Sequence, residues 1–434
     1  MAWPAVLESF FVSLAGIIDT LMVSTLGTFA VASVGLTAQP KFIFLAFFFA
    51  CNVALSALVA RRRGQQDQKN ANELLLTAIV YTVVMTIILS TIGILFAPQI
   101  ISFAGASADT LEAGVTYFRV IIGGIFFSVI SLVINAAQRG SGNTRIAMTT
   151  NVTSSIVNVI FNYLLIGGKL GFPRLEVFGA AFATVLGTVV ACLMSVYSLF
   201  KKDSYVSIPY IIKNHIKPSF KELKSIYNLA YNFFIENIAM RVGFLVTAIT
   251  AAKLGTEAFA AHQVGMNFLG LGFSFGDGMQ VAAVALIGRS LGEKNYTKAK
   301  AYGNTCQRVG LFISVMLALV LFLFDKWILS LFFQEAHIID MGVIIFRYIM
   351  VIVLFQISQV IFGGCLRDAG DAKYTLFASL ISVTLIRSLT TILLVTVFHM
   401  GLHGIWIGVL SDQLSRFVLL YTRFKQGDWV QLQI

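Results

Sequence analysis

Twelve long apolar runs, separated by short polar breaks, account for most of the 434 residues. They cover 5–26, 29–60, 75–97, 111–139, 145–167, 178–200, 227–254, 257–289, 303–324, 340–366, 373–398 and 401–422. Each exceeds the 18 or so residues that a helix rising about 1.5 Å per residue needs to cross about 30 Å of hydrocarbon. The pattern predicts an all-α membrane protein of twelve transmembrane helices. One polar break is long, from Lys201 to Lys224, with two prolines and six lysines. It divides the chain into an expected N-terminal six-helix lobe (1–200), a linker (201–226), a C-terminal six-helix lobe (227–424) and a short tail (425–434).

Sliding the sequence along itself until Gly27 meets Gly255 superposes the two halves without a gap across four helices and their loops. In this register Leu26-Gly27-Thr28 falls on Leu254-Gly255-Thr256, Ala57-Leu58 on Ala285-Leu286, Arg61 on Arg289, Phe118-Arg119 on Phe346-Arg347, and Arg139 on Arg367. An even number of helices per half keeps both halves in one orientation. The repeats are therefore parallel, and the interface of such repeats is a natural substrate path.

Composition sharpens this reading. Only 12% of residues are charged, against roughly a quarter in soluble domains, while 58% are hydrophobic and the mean hydropathy is +0.85. The net charge of +11 raises nucleic acid as a partner. Its distribution argues against that: Lys and Arg collect in alternate loops, at the ends of even-numbered helices, as the positive-inside rule requires. Both termini are then expected in the cytoplasm of a plasma membrane, that of a bacterium. The four cysteines lie in or beside apolar segments with no ligand spacing and read as small buried hydrophobes. No GxxxxGK[ST] motif is present, so the chain reads as neither an enzyme nor an ATP-driven motor, and an ion gradient is the expected energy source.

Ion coupling needs a titratable or cation-binding group inside the membrane, where ionisable residues are costly and call for a reason. Asp19, about five turns into helix 1, is the leading candidate. Lys41 lies within roughly 6 Å of the same depth by helix rise, so Asp19 either couples transport or pairs structurally with Lys41. Lys41 itself either forms that pair or lines a wet cavity. Asn158 and Asn162, spaced i, i+4, share one face of helix 5. In the repeat register Asp19 falls on Thr247, Asn158 on Ile386 and Asn162 on Thr390, so the polar set belongs to the N-terminal half alone. Glu236, Arg241, Gln263, Asp277 and Gln356 are further candidates for lining a substrate cavity. Glu236, whose repeat partner is Glu8, also fits a helix-packing role.

Several segments carry a family resemblance. Asp19-Thr20-Leu21-Met22-Val23 running to Leu26-Gly27, Gln138 through Thr144, Asn158 and Asn162 before Tyr163-Leu164-Leu165-Ile166, Gly179-Ala180-Ala181 with Thr184, and Leu254-Gly255-Thr256 running to Ala261-His262-Gln263 together resemble the multidrug and toxic compound extrusion (MATE) transporters. The resemblance implies two six-helix lobes around a central cavity and export of amphipathic, often cationic small molecules against a proton or sodium gradient, with no other cofactor. It implies a cation-coupling set of Asp19, Asn158, Asn162 and Thr184, which would also be the ligands of any sodium ion, and a bend of helix 1 at Pro4. A proline in a first helical turn is equally free of cost. Two departures from the family pattern weaken a sodium site. Asn162 stands where many relatives have a second carboxylate, and Met240 and Gln356 stand near positions where some carry acids. Protons are therefore the expected coupling ion. The expected partners are small-molecule substrates and the lipid bilayer, with the chain acting as a monomer. The alternative within the same superfamily, a flippase for lipid-linked oligosaccharides, would call for extra helices and a more cationic cavity.

Overall fold

The computed structural model describes residues 2–201, 204–292, 295–369, 371–427 and 429. It leaves out the side chains of 2–9, 64, 144, 229, 232, 233, 236, 281, 282, 284, 285, 288, 289, 291, 292, 368 and 372. The described chain is helical almost throughout. In order, the helices are α1 (Ala2–Ser24), α2 (Thr28–Gly64), α3 (Gln68–Leu95), α4 (Ala97–Phe103), α5 (Ala108–Gly123), α6 (Ile125–Gly140), α7 (Thr144–Leu165) and α8 (Glu176–Ser198). There follow α9 (Ile208–Lys213), α10 (Phe220–Ala252), α11 (Thr256–Gly292), α12 (Tyr296–Ser330) and α13 (Ala336–Asp368). Then come α14 (Ala372–Ser379), α15 (Ser388–Ile392) and α16 (Gly401–Gln426); π-helical turns at Leu380–Arg387 and Leu393–Val397 flank α15.

The repeat seen in the sequence reappears in the local geometry. Gly27 and Gly255, which coincide in the repeat register, end α1 and α10 with φ of +111° and +110°. A residue with a Cβ adopts that region only under strain, so both tight corners need glycine. Asp67 accepts a hydrogen bond from the backbone N–H of Asn70 at the start of α3, and its counterpart Asn295 accepts one from Lys298 at the start of α12. Each satisfies one of the orphan donors of a helix N-terminus.

Six described helices are long and apolar enough to span a membrane: Thr28–Arg63, Gln68–Leu95, Glu176–Ser198, Tyr296–Ser330, Ala336–Arg367 and Lys373–Val397. The expected fourth helix is instead the pair α5 and α6, bent by 45°. The bend falls at Gly124, where any side chain would overlap Val185 of α8. Phe10–Ser24 and Asn237–Ala252 are shorter apolar helices. Among the other expected spans, α7 and α16 have their apolar runs interrupted by Asn158 and Asn162 in one, and by Asp412, Gln413 and Arg416 in the other.

Contacts divide the chain into two compact units, Leu36–Arg241 and Met1–Gly35 with Val242–Ile434. In the first, Ala54, Leu55, Leu74, Leu75, Val133 and Ile134 form a buried core. The stretch read from sequence as a polar linker is docked onto this unit. The Asn72 side chain accepts from the Ser207 backbone N–H at 2.8 Å and donates to the Tyr205 carbonyl at 3.2 Å, while Val206 is fully buried. α10 also begins earlier than expected, at Phe220, and its buried Glu222 meets Arg62 at 3.2 Å. In the second unit α1 packs along α11: Ser13 is hydrogen-bonded to Ser274, the Asn267 amide donates to Thr20 Oγ1 at 2.6 Å, and the Phe10 and Phe275 rings lie 5.7 Å apart.

Candidate functional site

Within the unit Leu36–Arg241, α7 and α8 run side by side, and Gly187 lets them close: a side chain there would strike the Ser154 carbonyl and the Asn158 Cβ. This close approach joins three of the four residues expected to couple an ion. Asn158 Nδ2 donates to Thr184 Oγ1 at 3.1 Å, and Asn162 Nδ2 donates to Asn158 Oδ1 at 3.4 Å. Thr184 in turn donates to the Ala180 carbonyl at 3.0 Å. Asn162 has no solvent-exposed surface. The result is a polar ladder of neutral oxygens and amides between two closely packed helices. Oxygen donors of this kind suit a hard cation or a proton relay, but the ladder has no charge of its own. Asp19, the fourth member, is half-buried on α1 in the other unit.

Lys41 and Thr184 line one small cavity of about 140 Å³, together with Phe42, Ile121, Gly124 and Ser128. Phe42 was not singled out by sequence, yet its ring lies 4.5 Å from the Arg241 guanidinium carbon and 5.3 Å from Lys41 Nζ. A ring flanked by two cations at that range offers its negative face to both. An aromatic next to an intramembrane lysine is the signal that would have found it.

The C-terminal unit carries a different arrangement at the repeat-related positions. Thr247 and Asp412 are the counterparts of Asp19 and Thr184, and Arg387 follows Ile386, the counterpart of Asn158. Arg387 is the last residue of the π-helical turns of Leu380–Arg387, where the bonding is the wider i→i+5. Arg387 donates through Nε to Thr247 Oγ1 at 3.0 Å, places Nη1 3.5 Å from Asp412 Oδ2, and lies 4.4 Å over the Phe244 ring. Asp412 also accepts from Arg416 and Gln413, and Gln413 accepts from Gln359 at 3.2 Å. Arg387, Asp412 and Gln413 are all 1% exposed or less. The place that corresponds to the N-terminal polar set is therefore filled by a guanidinium belonging to the chain itself.

The remaining candidates separate clearly. Gln356, expected to line a cavity, is instead fully buried; its amide donates to the Leu269 carbonyl at 3.1 Å and its side chain packs against Gly272. It ties α13 to α11. Gln263 is half-buried and packed on Gly35. Asp277 is exposed on α11, within electrostatic reach of Arg367. Pro4 and Glu236 lie outside the residues whose side chains are described. Among the described residues no group of three His, Cys, Asp or Glu is placed to hold a metal ion.

Comparison with known proteins gives these positions a context. The sequence model of the family described as MatE matches twice, over residues 4–164 and 233–393. The two starting positions agree to within one residue with the register that sets Gly27 on Gly255. A relative from Thermotoga maritima, described as a probable multidrug resistance protein NorM, is 26% identical over 99% of this chain and 92% of its own length. A structure described as the inward-facing conformation of a multidrug resistance MATE family transporter of the MOP superfamily superposes with a TM-score of 0.87 at 23% identity, covering 99% of each chain. One described as the outward-facing conformation of such a transporter gives 0.76, covering 99% of this chain and 95% of its own.

Proposed function

This chain belongs to the MatE family, and we propose that it is a secondary active antiporter that exports amphipathic, cationic small molecules by alternating access. In this reading the two family matches mark two six-helix lobes, in the plasma membrane of a bacterium. The observation that carries the reading is the asymmetry between the repeats. The N-terminal half holds Asn158, Asn162 and Thr184 as a hydrogen-bonded set of neutral donors and acceptors. The C-terminal half has Arg387 bound to Thr247 and Asp412 at the corresponding place. A site that must load and release an ion once per cycle cannot be occupied by a tethered cation. Turnover therefore falls to the N-terminal set with Asp19.

The coupling ion is the proton. Sodium needs several oxygens with negative charge nearby, and Asp19 is the one carboxylate in the set. Asn162 contributes only an amide, and Lys41, which shares a cavity with Thr184, adds positive charge. Purified protein in liposomes is expected to export a cationic dye when a pH gradient is imposed without sodium. A sodium gradient at equal pH is expected to leave the dye where it is. Export driven by sodium alone would overturn the proton assignment and mark Asp19, Asn158, Asn162 and Thr184 as the ligands of that ion.

Orientation follows from the basic loops. Single cysteines placed at Gln65 and Tyr210 are expected to react with an impermeant reagent only from the cytoplasmic side, and one at Glu335 only from outside. The reverse pattern would invert the topology and with it the direction of transport.

A further inference from the structure

Arg145 lies in the first turn of α7 and Lys201 just beyond the end of α8, the two helices that Gly187 lets close on each other. Both line one groove of about 420 Å³, together with Asn143, Thr149, Met194 and Tyr197. Lys201 stays at the groove because the chain turns as it leaves α8, where its backbone N–H donates to the Ser198 carbonyl at 3.4 Å. Both cations are exposed, and neither side chain has a hydrogen bond or an ion pair among the described residues. Other basic residues of the same loops are neutralised: Arg62 meets Glu222 at 3.2 Å and Asp67 at 3.8 Å, and Arg423 meets Asp371 at 2.7 Å. Two uncompensated cations on one concave surface make a positive potential that an anion relieves.

What adjoins the cations says which anion. On α7 the spacing of Arg145, Thr149, Ile156 and Ile160 sets all four on one helix face, and both isoleucines are more than half exposed. On α8 Leu193 and Tyr197, one turn apart, are 64% and 69% exposed, and Lys201 follows at the same interval. Each cation therefore ends a stripe of exposed apolar side chains. The exposed Tyr197 beside them is the kind of aromatic that the membrane–water boundary favours. A soluble anion would use the cations alone. A phospholipid matches the whole order, with its phosphate at the cations and its acyl chains along the stripes, and basic pockets between membrane helices take lipid headgroups.

We propose that this groove binds the headgroup of an anionic phospholipid, in the leaflet on the side of the basic loops. Arg145 and Lys201 hold the phosphate, the first through its guanidinium fork and the second as a point charge. The acyl chains lie against Ile156, Ile160 and Leu193. The inference goes beyond the export reading and needs neither its cargo nor its coupling ion.

Full-length Tyr197→Trp protein in vesicles of equal parts phosphatidylglycerol and phosphatidylcholine tests it. Bromine on the acyl chains of one lipid or the other quenches an indole that the lipid touches. The signal of Trp3, Trp327, Trp406 and Trp429 is subtracted with the unaltered protein. Two cations near the membrane surface correspond to a preference of roughly tenfold or more for the anionic lipid at the new indole. Arg145→Gln with Lys201→Gln is expected to remove that preference, and Arg145→Lys alone to keep most of it. Lys213→Gln with Lys217→Gln removes the same charge from exposed positions outside the groove and is expected to change little. Equal quenching by the two lipids, or a preference that survives Arg145→Gln with Lys201→Gln, would overturn the site. Equal losses in the two double variants would overturn it too, since only the general attraction of a basic surface would remain. Loss of the preference in millimolar inorganic phosphate at fixed ionic strength would assign the groove to a soluble anion instead of a lipid. The measurement needs no gradient, so its outcome is independent of whether the chain exports.

Discussion

Asp19→Asn is expected to abolish gradient-driven export while leaving expression and membrane insertion unchanged. Asparagine keeps the size and branching of aspartate and most of its hydrogen-bonding capacity, but it cannot take up and release a proton. Insertion should not suffer, because an ionised aspartate at a helix centre costs about 2.5–3.5 kcal/mol on insertion scales and the amide costs less. Packing of α1 on α11 should also survive, since the contacts of Ser13, Thr20 and Phe10 with α11 are left in place by the substitution. The measurement is dye export from liposomes under an imposed pH gradient, reported against the amount of protein reconstituted. Export should fall to the level of protein-free liposomes, and Asp19→Glu should recover part of it. Export by Asp19→Asn at the unaltered rate would place the coupling group elsewhere.

Asp412→Leu is expected to destabilise the folded protein severely. Arg387 and Arg416 are both at least nine-tenths buried, and Asp412 is the carboxylate that both contact. Removing it leaves two guanidinium groups in the interior with no counter-charge. Breaking a buried ion pair in this way typically costs about 3–5 kcal/mol, a large share of the roughly 5–15 kcal/mol that holds a domain together. The thermal unfolding midpoint in detergent should drop sharply. The triple replacement Arg387→Met, Asp412→Leu and Arg416→Met should recover most of the loss, because it removes the stranded charges and leaves apolar side chains of similar volume. An unaltered midpoint for Asp412→Leu would show that water reaches these arginines. If the triple variant also retains export, the trio serves packing only; the proposed division of labour between the repeats requires no more of it.

Much of this molecule is legible along the chain because its determinants are local. Apolar runs of membrane length, the register of the repeat, the capping residues Asp67 and Asn295 and the corner glycines Gly27 and Gly255 all act within a few residues of themselves. Asn158 and Asn162 share a helix face by spacing alone, and their links to each other and to Thr184 follow once α7 and α8 are neighbours. What only the tertiary structure decided depends on which helices meet, and in what register. The bend between α5 and α6 falls at Gly124, where Val185 of another helix leaves no room for a side chain. The lysine-rich stretch after α8 reads as a free linker until Asn72 holds its backbone. Gln356 looks like a cavity residue until Gly272 and the Leu269 carbonyl enclose it. Arg387 meets Asp412 from a segment of π-helical turns, and a helix that changes its repeat from the usual 3.6 or so residues per turn moves a side chain to a new face without any mark in the hydrophobic pattern. Periodicity reports which face of a helix is apolar, whereas the partner of a polar residue is set by the neighbouring helix.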